Sequence, residues 1–328
     1  MLIIAWETTS ACNLQCCYCR ASAKETPHPD ELTSEEAKDF IDSVASLKPM
    51  IILSGGEPLL RPDIFQLAER ATKLGMRVAL ATNGTLLTPQ IVDMINEANI
   101  SRVSVSMDGA SSEVHDVSRG SGAFIKTLQG IEFLRGKVPF QINMTITKSN
   151  VDQVGSMMDL AEDLGAVAFH LFFLVPTGRG QEDDLISPSE QDAVLRWLVQ
   201  DCKSRSIEVK VTCAPQYSRI MRVELSGEER QKMLGSACLA GTNFVFVSKT
   251  GDVCPCGYLP VVAGNVREQS FVDIWNNSTI FKDLRDKNLQ GKCGQCSYSR
   301  ICGGCRARAY AYTGDYMAAD PLCDYQVV

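Results

Sequence analysis

Short apolar runs punctuate the first two thirds of the chain at fairly even intervals. They cover residues 2–8, 50–54, 76–81, 102–107, 140–146 and 166–173. Each is too short for a buried helix and rich in Ile, Val and Phe, so each predicts a buried strand. Between them the pattern turns amphipathic with helix-start signals. Thr33-Ser-Glu-Glu36 is a capping box opening a helix to about Leu47. Pro62 stands near the start of the next helix, Thr88-Pro-Gln begins another, and helices follow at about 123–135 and 151–164. Regular alternation of this kind predicts a parallel sheet with right-handed crossovers. Six β/α units are too few to close an eight-stranded barrel, so a partial, curved barrel with an open side is expected. A helix at about 187–204 and a strand at 207–212 extend it, and 214–235 reads as a mainly helical linker. From Cys238 the strands shorten and glycine rises. Phe244–Ser248 and Gly251-Asp252-Val253 read as a hairpin, Ser270 to Trp275 as a helix start, and 303–312 as a helix. The predicted organisation is α/β: a partial (β/α)6 barrel over 1–212, a linker over 213–237, and a small Cys-rich α+β domain over 238–328.

The densest chemistry lies on the loop after the first strand. Cys12-Asn-Leu-Gln-Cys16-Cys17-Tyr18-Cys19 reads C-x3-C-x2-C, with a further thiol at Cys17. Three thiolates on one short loop can hold three irons of a 4Fe–4S cluster. The fourth iron is then open to an outside ligand, much as a catalytic zinc keeps one position open. A zinc knot competes with this reading, but the spacing lacks the paired C-x2-C arms usual there. Ile51-Ile-Leu-Ser54 runs into Gly55-Gly56-Glu57-Pro58. Two glycines at a strand end let backbone approach a ligand closely, and Glu57 can accept a hydrogen bond from an ammonium. Ligands of parallel sheets sit at the C-terminal strand ends. The cysteine loop, the Gly-Gly-Glu-Pro turn, Thr82-Asn83, Ser106 to Asp108 and Asn143 all fall there.

Composition narrows the class. The chain has 328 residues, 45% of them hydrophobic, and a net charge of −7. The acidic balance argues against nucleic acid as the main partner. No apolar run approaches the length of about 18 residues that a membrane span needs. Met1 to Trp6 runs straight into the first strand without a basic leader, so a cytoplasmic protein is expected. Fourteen cysteines in a chain of this length point to metal sooner than to disulfides. Eight of them follow the pattern Cys238, Cys254, Cys256, Cys293-x2-Cys296-x5-Cys302-x2-Cys305, Cys323. Such thiolate sets suit structural zinc as well as iron–sulfur clusters.

The Cys12–Cys19 loop and the Gly55–Pro58 turn together resemble the radical S-adenosylmethionine (SAM) enzymes. The resemblance implies a TIM-like partial barrel in which Cys12, Cys16 and Cys19 hold a 4Fe–4S cluster and SAM binds the open iron through its amino and carboxylate groups. It puts Tyr18 near the adenine and Gly55, Gly56, Glu57 and Pro58 at the SAM amino group. Asn83, Ser106, Arg119 and Asn143 complete the implied SAM site. The C-terminal cysteines resemble the SPASM extension of that family, which carries auxiliary clusters. By that resemblance Cys293, Cys296, Cys302 and Cys323 form one ligand set, and Cys238, Cys256 and Cys305 belong to a second, with Cys254 offered as its fourth member. The family's early ligand a few residues after the first cysteine is missing after Cys238. The second set is therefore open: incomplete, differently ligated or empty.

Phe140-Gln-Ile-Asn143, Phe172 to Gly180, Val211-Thr-Cys-Ala-Pro215 and Cys302-Gly-Gly-Cys-Arg-Ala-Arg-Ala309 look like the tetrapyrrole-modifying branch. Within it, the start Ala5-Trp-Glu-Thr-Thr looks closest to the haem synthases of the alternative haem pathway. The implied reaction is oxidative decarboxylation of two propionates of iron-coproporphyrin III to vinyl groups, giving haem b, with an electron donor such as ferredoxin or flavodoxin. Related side-chain removal from didecarboxysirohaem or the modified haem of nitrite reductases is the near alternative. A peptide-modifying SPASM maturase is the next, although no peptide-recognition domain fits before Trp6. A non-catalytic electron carrier or zinc protein is the rival from another class. Propionates call for Arg, with its bidentate geometry. Arg179 and Arg219 are the candidate substrate anchors, and Arg222, Arg306 and Arg308 are within the same reasoning. Each of these competes with an ordinary surface charge. His170, within an apolar strand, reads as a core residue. His115 is balanced between the SAM neighbourhood and the surface. Cys17 and Cys213 read as small hydrophobes sooner than as ligands.

Overall fold

The computed structural model describes residues 1–227 and 237–327. Strands β1 (Ile3–Glu7), β2 (Met50–Ser54), β3 (Arg77–Thr82), β4 (Arg102–Ser106), β5 (Phe140–Ile146), β6 (Ala168–Phe173) and β7 (Glu208–Thr212) lie side by side in sequence order, all parallel. Crossovers carry α1 (Ser34–Val44), α2 (Ile64–Lys73), α3 (Pro89–Glu97), α4 (Ser112–Arg119), α5 (Ala123–Leu134), α6 (Val154–Asp163) and α7 (Pro188–Asp201). Helix α8 (Gln216–Glu224) follows β7; the rest of the expected linker from 228 lies outside the described residues until 237. The partial barrel inferred from the alternation is borne out, with β7 as a seventh parallel strand.

Period-two alternation decides what each face of this sheet does. Ile4, Trp6, Val103, Val105, Ile142, Met144, Phe169 and Leu171 are fully buried and share one core with helix residues such as Ile41, Leu67, Ile95 and Met157. Their neighbours in the same strands point to the other face, which is polar or small: Glu7, Ser104, Gln141, Asn143 and His170. Gln141 Nε2 donates to Asn143 Oδ1 at 2.8 Å and meets His170 Nδ1 at 2.9 Å, so these side chains share that face. His170 is thus a partnered residue of the barrel's inner wall.

The C-terminal cysteine region does not form a separate layer. Its strand β8 (Phe244–Val247) pairs parallel with β1, from Ile3↔Phe244 to Trp6↔Val247. Strands β9 (Asp252–Cys254) and β10 (Gly264–Asn265) continue antiparallel, so one sheet runs β10-β9-β8-β1 through β7. Helices α9 (Phe271–Asn277), α10 (Thr279–Asp286), α11 (Gly291–Gln295) and α12 (Arg306–Thr313) complete the region. Aromatic contacts weld α9 to α1: Phe271 meets Phe40 edge-on at 6.1 Å, and Phe40 meets Trp6 at 5.3 Å. Fully burying each such side chain stabilises the fold by roughly 1.5–3 kcal/mol. The helix expected from 303 starts at Arg306, because Gly303 and Gly304 take φ of +72° and +66°. Helix α4 was not anticipated.

Candidate functional site: one cysteine loop and two thiol sets

The cysteine loop leaves the C-terminal end of β1 and is tied down along its length. Cys12 N donates to Lys24 O at 2.7 Å and Lys24 N to Ser10 O at 3.1 Å, which closes the loop's two ends on each other. Cys17 N donates to Ser118 O of α4 at 3.0 Å. Within it, Leu14 N points at Cys12 Sγ (3.4 Å) and Ala23 N at Cys19 Sγ (3.5 Å). Cys12 is buried, Cys16 and Cys19 half-buried, and Cys17 exposed. Burial pushes Cys12 up to about 11, opposed by the Leu14 N–H and reinforced more weakly by Glu57 and the other two thiols. Such thiols ionise only when a cation takes the proton's place, the coupling expected of metal ligands.

The Gly-Gly-Glu-Pro turn packs directly on this loop. Gly56 N donates to Thr9 O and Glu57 N to Ala11 O, both at 2.7 Å. A Cβ on Gly56 would sit 2.4 Å from Ala11 O. The turn's need for glycine therefore comes from the cysteine loop's own backbone, whereas the motif alone suggested close approach to a ligand. Glu57 is fully buried, accepts from Thr82 Oγ1 at 2.9 Å and Asn83 N at 2.8 Å, and caps the short turn begun by Pro58. Burial pushes its carboxyl up to about 7. Asn83 reaches Asn13 Oδ1 at 2.9 Å beside Cys12. Ser106 and Asn143 are register partners on β4 and β5.

Asp108 knits the remaining residues. It accepts from the Tyr18 hydroxyl and from Arg119 Nε on one oxygen and from Thr145 N (2.8 Å) on the other. Burial, then the Asp108 carboxylate, holds the Tyr18 phenol well above its ordinary value. His115 is fully buried behind this cluster. Its Nδ1 accepts from Asp108 N at 3.2 Å, and burial followed by Arg119 lowers it to about 4, so it is a neutral buttress. Asp108 stands among the strand-end polar residues that the sequence singles out, but its supporting role was missed, because its partner Arg119 lies on α4, which, being polar, hides from a search for apolar periodicity. Tyr18, the Gly55–Pro58 turn, Asn83 and Arg119 are thus tied to the Cys12–Cys19 loop, directly or through Asp108, whereas Ser106 closes β4 and Asn143 lies inside β5.

The candidate substrate arginines behave differently. Arg179 donates from Nε to Cys16 O and from Nη1 to Ala23 O, both at 2.8 Å, and its own N–H reaches Cys19 O at 3.0 Å. Preceding it, Gly178 at φ +66° lies so close that a Cβ would meet Cys19 O at 2.3 Å. Arg179 is a clamp on the cysteine loop. Arg219 is buried, pairs with Asp192 at 2.8 Å, and faces Tyr325 4.8 Å away, far along the fold at the C-terminal cysteines. Arg306 and Arg308 are also buried and committed internally.

Cys293, Cys296, Cys302 and Cys323 line one shallow open cleft together with Arg219, Lys292 and Tyr325. Arg306 Nη2 approaches Cys293 Sγ at 3.7 Å, Asp320 N at 3.4 Å, and Tyr298 N approaches Cys296 Sγ at 3.4 Å. Four thiols around a cleft, with N–H donors and cations facing the sulfurs, fit an anionic iron–sulfur cluster. Cys305 and Cys256 lie in a neighbouring apolar cluster with Val175 and Leu259, within charge reach of Cys238. Cys254 does not join them. It lies on β9 opposite Phe246, and its charged neighbours are Asp252, Arg20 and Glu7. The residue at that site that sequence reasoning set aside is Cys213, whose side chain packs against the cluster that holds Cys305.

Barrel, open cysteine loop and C-terminal thiol sets together define a radical SAM protein with auxiliary iron–sulfur sites. The radical SAM superfamily profile matches residues 6–161, and the SPASM iron–sulfur cluster-binding domain matches residues 238–297. The chain is 52% identical to the AdoMet-dependent heme synthase of Methanosarcina barkeri over 99% of its length and 96% of that protein's. It is 44% identical to the protein of the same name from Oleidesulfovibrio alaskensis, covering 99% of this chain and 87% of that one. In fold it is similar to Streptococcus suis SuiB bound to S-adenosylmethionine, with TM-score 0.78 at 17% identity, covering 99% of this chain and 77% of SuiB. The chain belongs to the radical SAM family, within the SPASM-bearing group that includes these heme synthases. It is a radical SAM enzyme, and its cofactors are 4Fe–4S clusters and SAM.

Proposed function

We propose that this enzyme makes haem b by oxidative decarboxylation of two propionates of iron-coproporphyrin III to vinyl groups. The observation that carries the reading is near-full-length identity of 52% to a protein named AdoMet-dependent heme synthase. It is supported by a site built around a three-thiol loop. In this reading Cys12, Cys16 and Cys19 hold the SAM-binding cluster, which supplies one-electron cleavage of SAM to methionine and a 5′-deoxyadenosyl radical. Exposed Cys17 takes no part. The chain's own residues orient and exclude water: Glu57 and the Gly55–Gly56 backbone face the SAM amino group, Ser106, Arg119 and Asn143 its carboxylate or ribose, and Tyr18 its adenine. Asp108 positions Tyr18 and Arg119. Each turnover leaves one electron to be removed, because the propionate loses a hydrogen atom and CO2 to become a vinyl group. The set at Cys293, Cys296, Cys302 and Cys323 is suited to accept it, since four thiolates leave no iron open. A low-potential ferredoxin or flavodoxin is the proposed donor for SAM cleavage, and the cytoplasm the proposed compartment, where free thiols persist.

The test is anaerobic incubation with SAM, reductant and a panel of tetrapyrroles, read by product mass. The expected product is iron-coproporphyrin III lighter by two CO2 and four hydrogens. Turnover of didecarboxysirohaem in its place would reassign the substrate. SAM cleavage should vanish in Cys12→Ala and persist in Cys17→Ala.

A further inference from the structure

Cys213 follows β7 directly and has a left-handed backbone, φ +63°. Lys48 and Lys287, which share that conformation, end helices, where it is routine. After a strand and on a β-substituted residue it is strained, and it persists only where the surroundings over-determine it. The surroundings here do so. Arg308 Nη2 donates to Cys213 O at 2.5 Å, and the same guanidinium is anchored on Asp320 at 3.1 Å. Asp320 in turn accepts from Cys305 N at 2.7 Å. One fully buried ion pair therefore fixes the backbone of both Cys213 and Cys305. The strained turn delivers the Cys213 thiol onto Cys305 in the apolar cluster that also contains Cys256.

The other three thiols of this set have backbone N–H groups beside them. Tyr258 N approaches Cys256 Sγ at 3.4 Å, the backbone of Ala240 and Arg306 lies near Cys238, and that of Arg308 near Cys305. That is the support expected around sulfurs that carry negative charge on a metal. Cys254, the alternative fourth member, faces Arg20 and Glu7.

We infer that Cys213 is the fourth protein ligand of an iron–sulfur cluster held with Cys238, Cys256 and Cys305. This rests on the reading of that set as a cluster site. Complete ligation by protein leaves no open iron, so this cluster relays electrons and does not bind substrate.

The test uses full-length protein carrying Cys12→Ala, Cys16→Ala and Cys19→Ala, reconstituted anaerobically with iron and sulfide. This parent should hold about eight irons, from two four-iron clusters. Removing Cys238 or Cys305 should cut that to about half. Cys213→Gly deletes the thiol while suiting the left-handed backbone, so folding is preserved, and matched melting curves check it. It should either lose the same irons or convert the cluster on mild oxidation to a three-iron form with its own EPR signal. Cys254→Ala should match the parent in iron content and EPR. Parent-like iron and EPR in Cys213→Gly, with iron lost in Cys238→Ala, would overturn the ligand assignment and leave the cluster standing. Unchanged iron in Cys238→Ala and Cys305→Ala would remove the cluster itself.

Discussion

At the scale of single residues, Glu57 and Arg179 show how motif and role can part. Glu57 is recognisable from its motif, but its burial is not, and burial sets its titration. Its carboxyl keeps a proton in the folded chain between the ordinary value of 4.5 and about 7, a window in which the unfolded chain has lost it. Folding takes up a proton there, so stability falls as pH rises through the window. Glu57→Gln should remove this slope. Relative to the variant, the native chain should lose on the order of 3 kcal/mol between pH 5 and 8 without SAM, measured by denaturant midpoints. Saturating SAM should flatten the native slope, if its ammonium faces Glu57. Arg179 carries a different lesson: a rim arginine flanked by glycines looked available to propionates, yet Gly178 brings it onto the carbonyls of Cys16 and Ala23. Arg179→Gln should speed loss of the SAM-site cluster to a chelator several-fold, followed by absorbance, while the KM for tetrapyrrole stays near native. A stable cluster with a raised KM would return Arg179 to substrate binding.

At the scale of elements, what was legible had a strong period and what was missed did not. Strands β1 to β7 and the capping box at Thr33 stand out because one face of each element is continuously apolar. Helix α4 reads Ser-Glu-Val-His-Asp-Val-Ser-Arg and hides because its buried face is polar, with His115, Ser118 and Arg119 all turned to the site. The C-terminal hairpin was visible as a hairpin, but its partner was not, since pairing with β1 spans the whole chain. That pairing has a measurable consequence. Without residues 238–328, the edge of β1 would lie open beside the apolar contacts of Trp6 and Phe40, a template for aggregation. A chain ending at residue 237 should therefore be largely insoluble or associate in sedimentation, even when supplied with iron, sulfide and SAM.

At the scale of the molecule, the thiol sites form a connected series. Arg20, next to Cys19, donates to Gly257 O at 3.3 Å, next to Cys256. Asp320 holds Cys305 through its carboxylate and touches Cys293 Sγ through its N–H. The far end carries Arg306, Arg219 and Lys292 around Cys293 and Cys323. Positive charge favours the reduced, more anionic cluster. Arg306→Gln should lower the reduction potential of that cluster by on the order of 50–100 mV, about 1–2 kcal/mol for one electron. EPR-monitored redox titration would read it, and an unchanged potential would mean the guanidinium is screened from the cluster.

The parallel pairing of β8 with β1 also has a temporal side. Ile3 leaves the ribosome long before its partner Phe244. At synthesis rates of about 5–20 residues per second the gap is roughly 10–50 s. During that interval the cysteine loop lacks Arg20's hold on Gly257 and Glu7's partner Lys249. A nascent chain short of Phe244 therefore holds Cys12, Cys16 and Cys19 only through contacts made within its first 180 residues, those of Lys24, Glu57, Ser118 and Arg179. Gly257 and Lys249 add the last two holds, so chains stalled before residue 244 should retain less iron at this loop through gel filtration than released chains do.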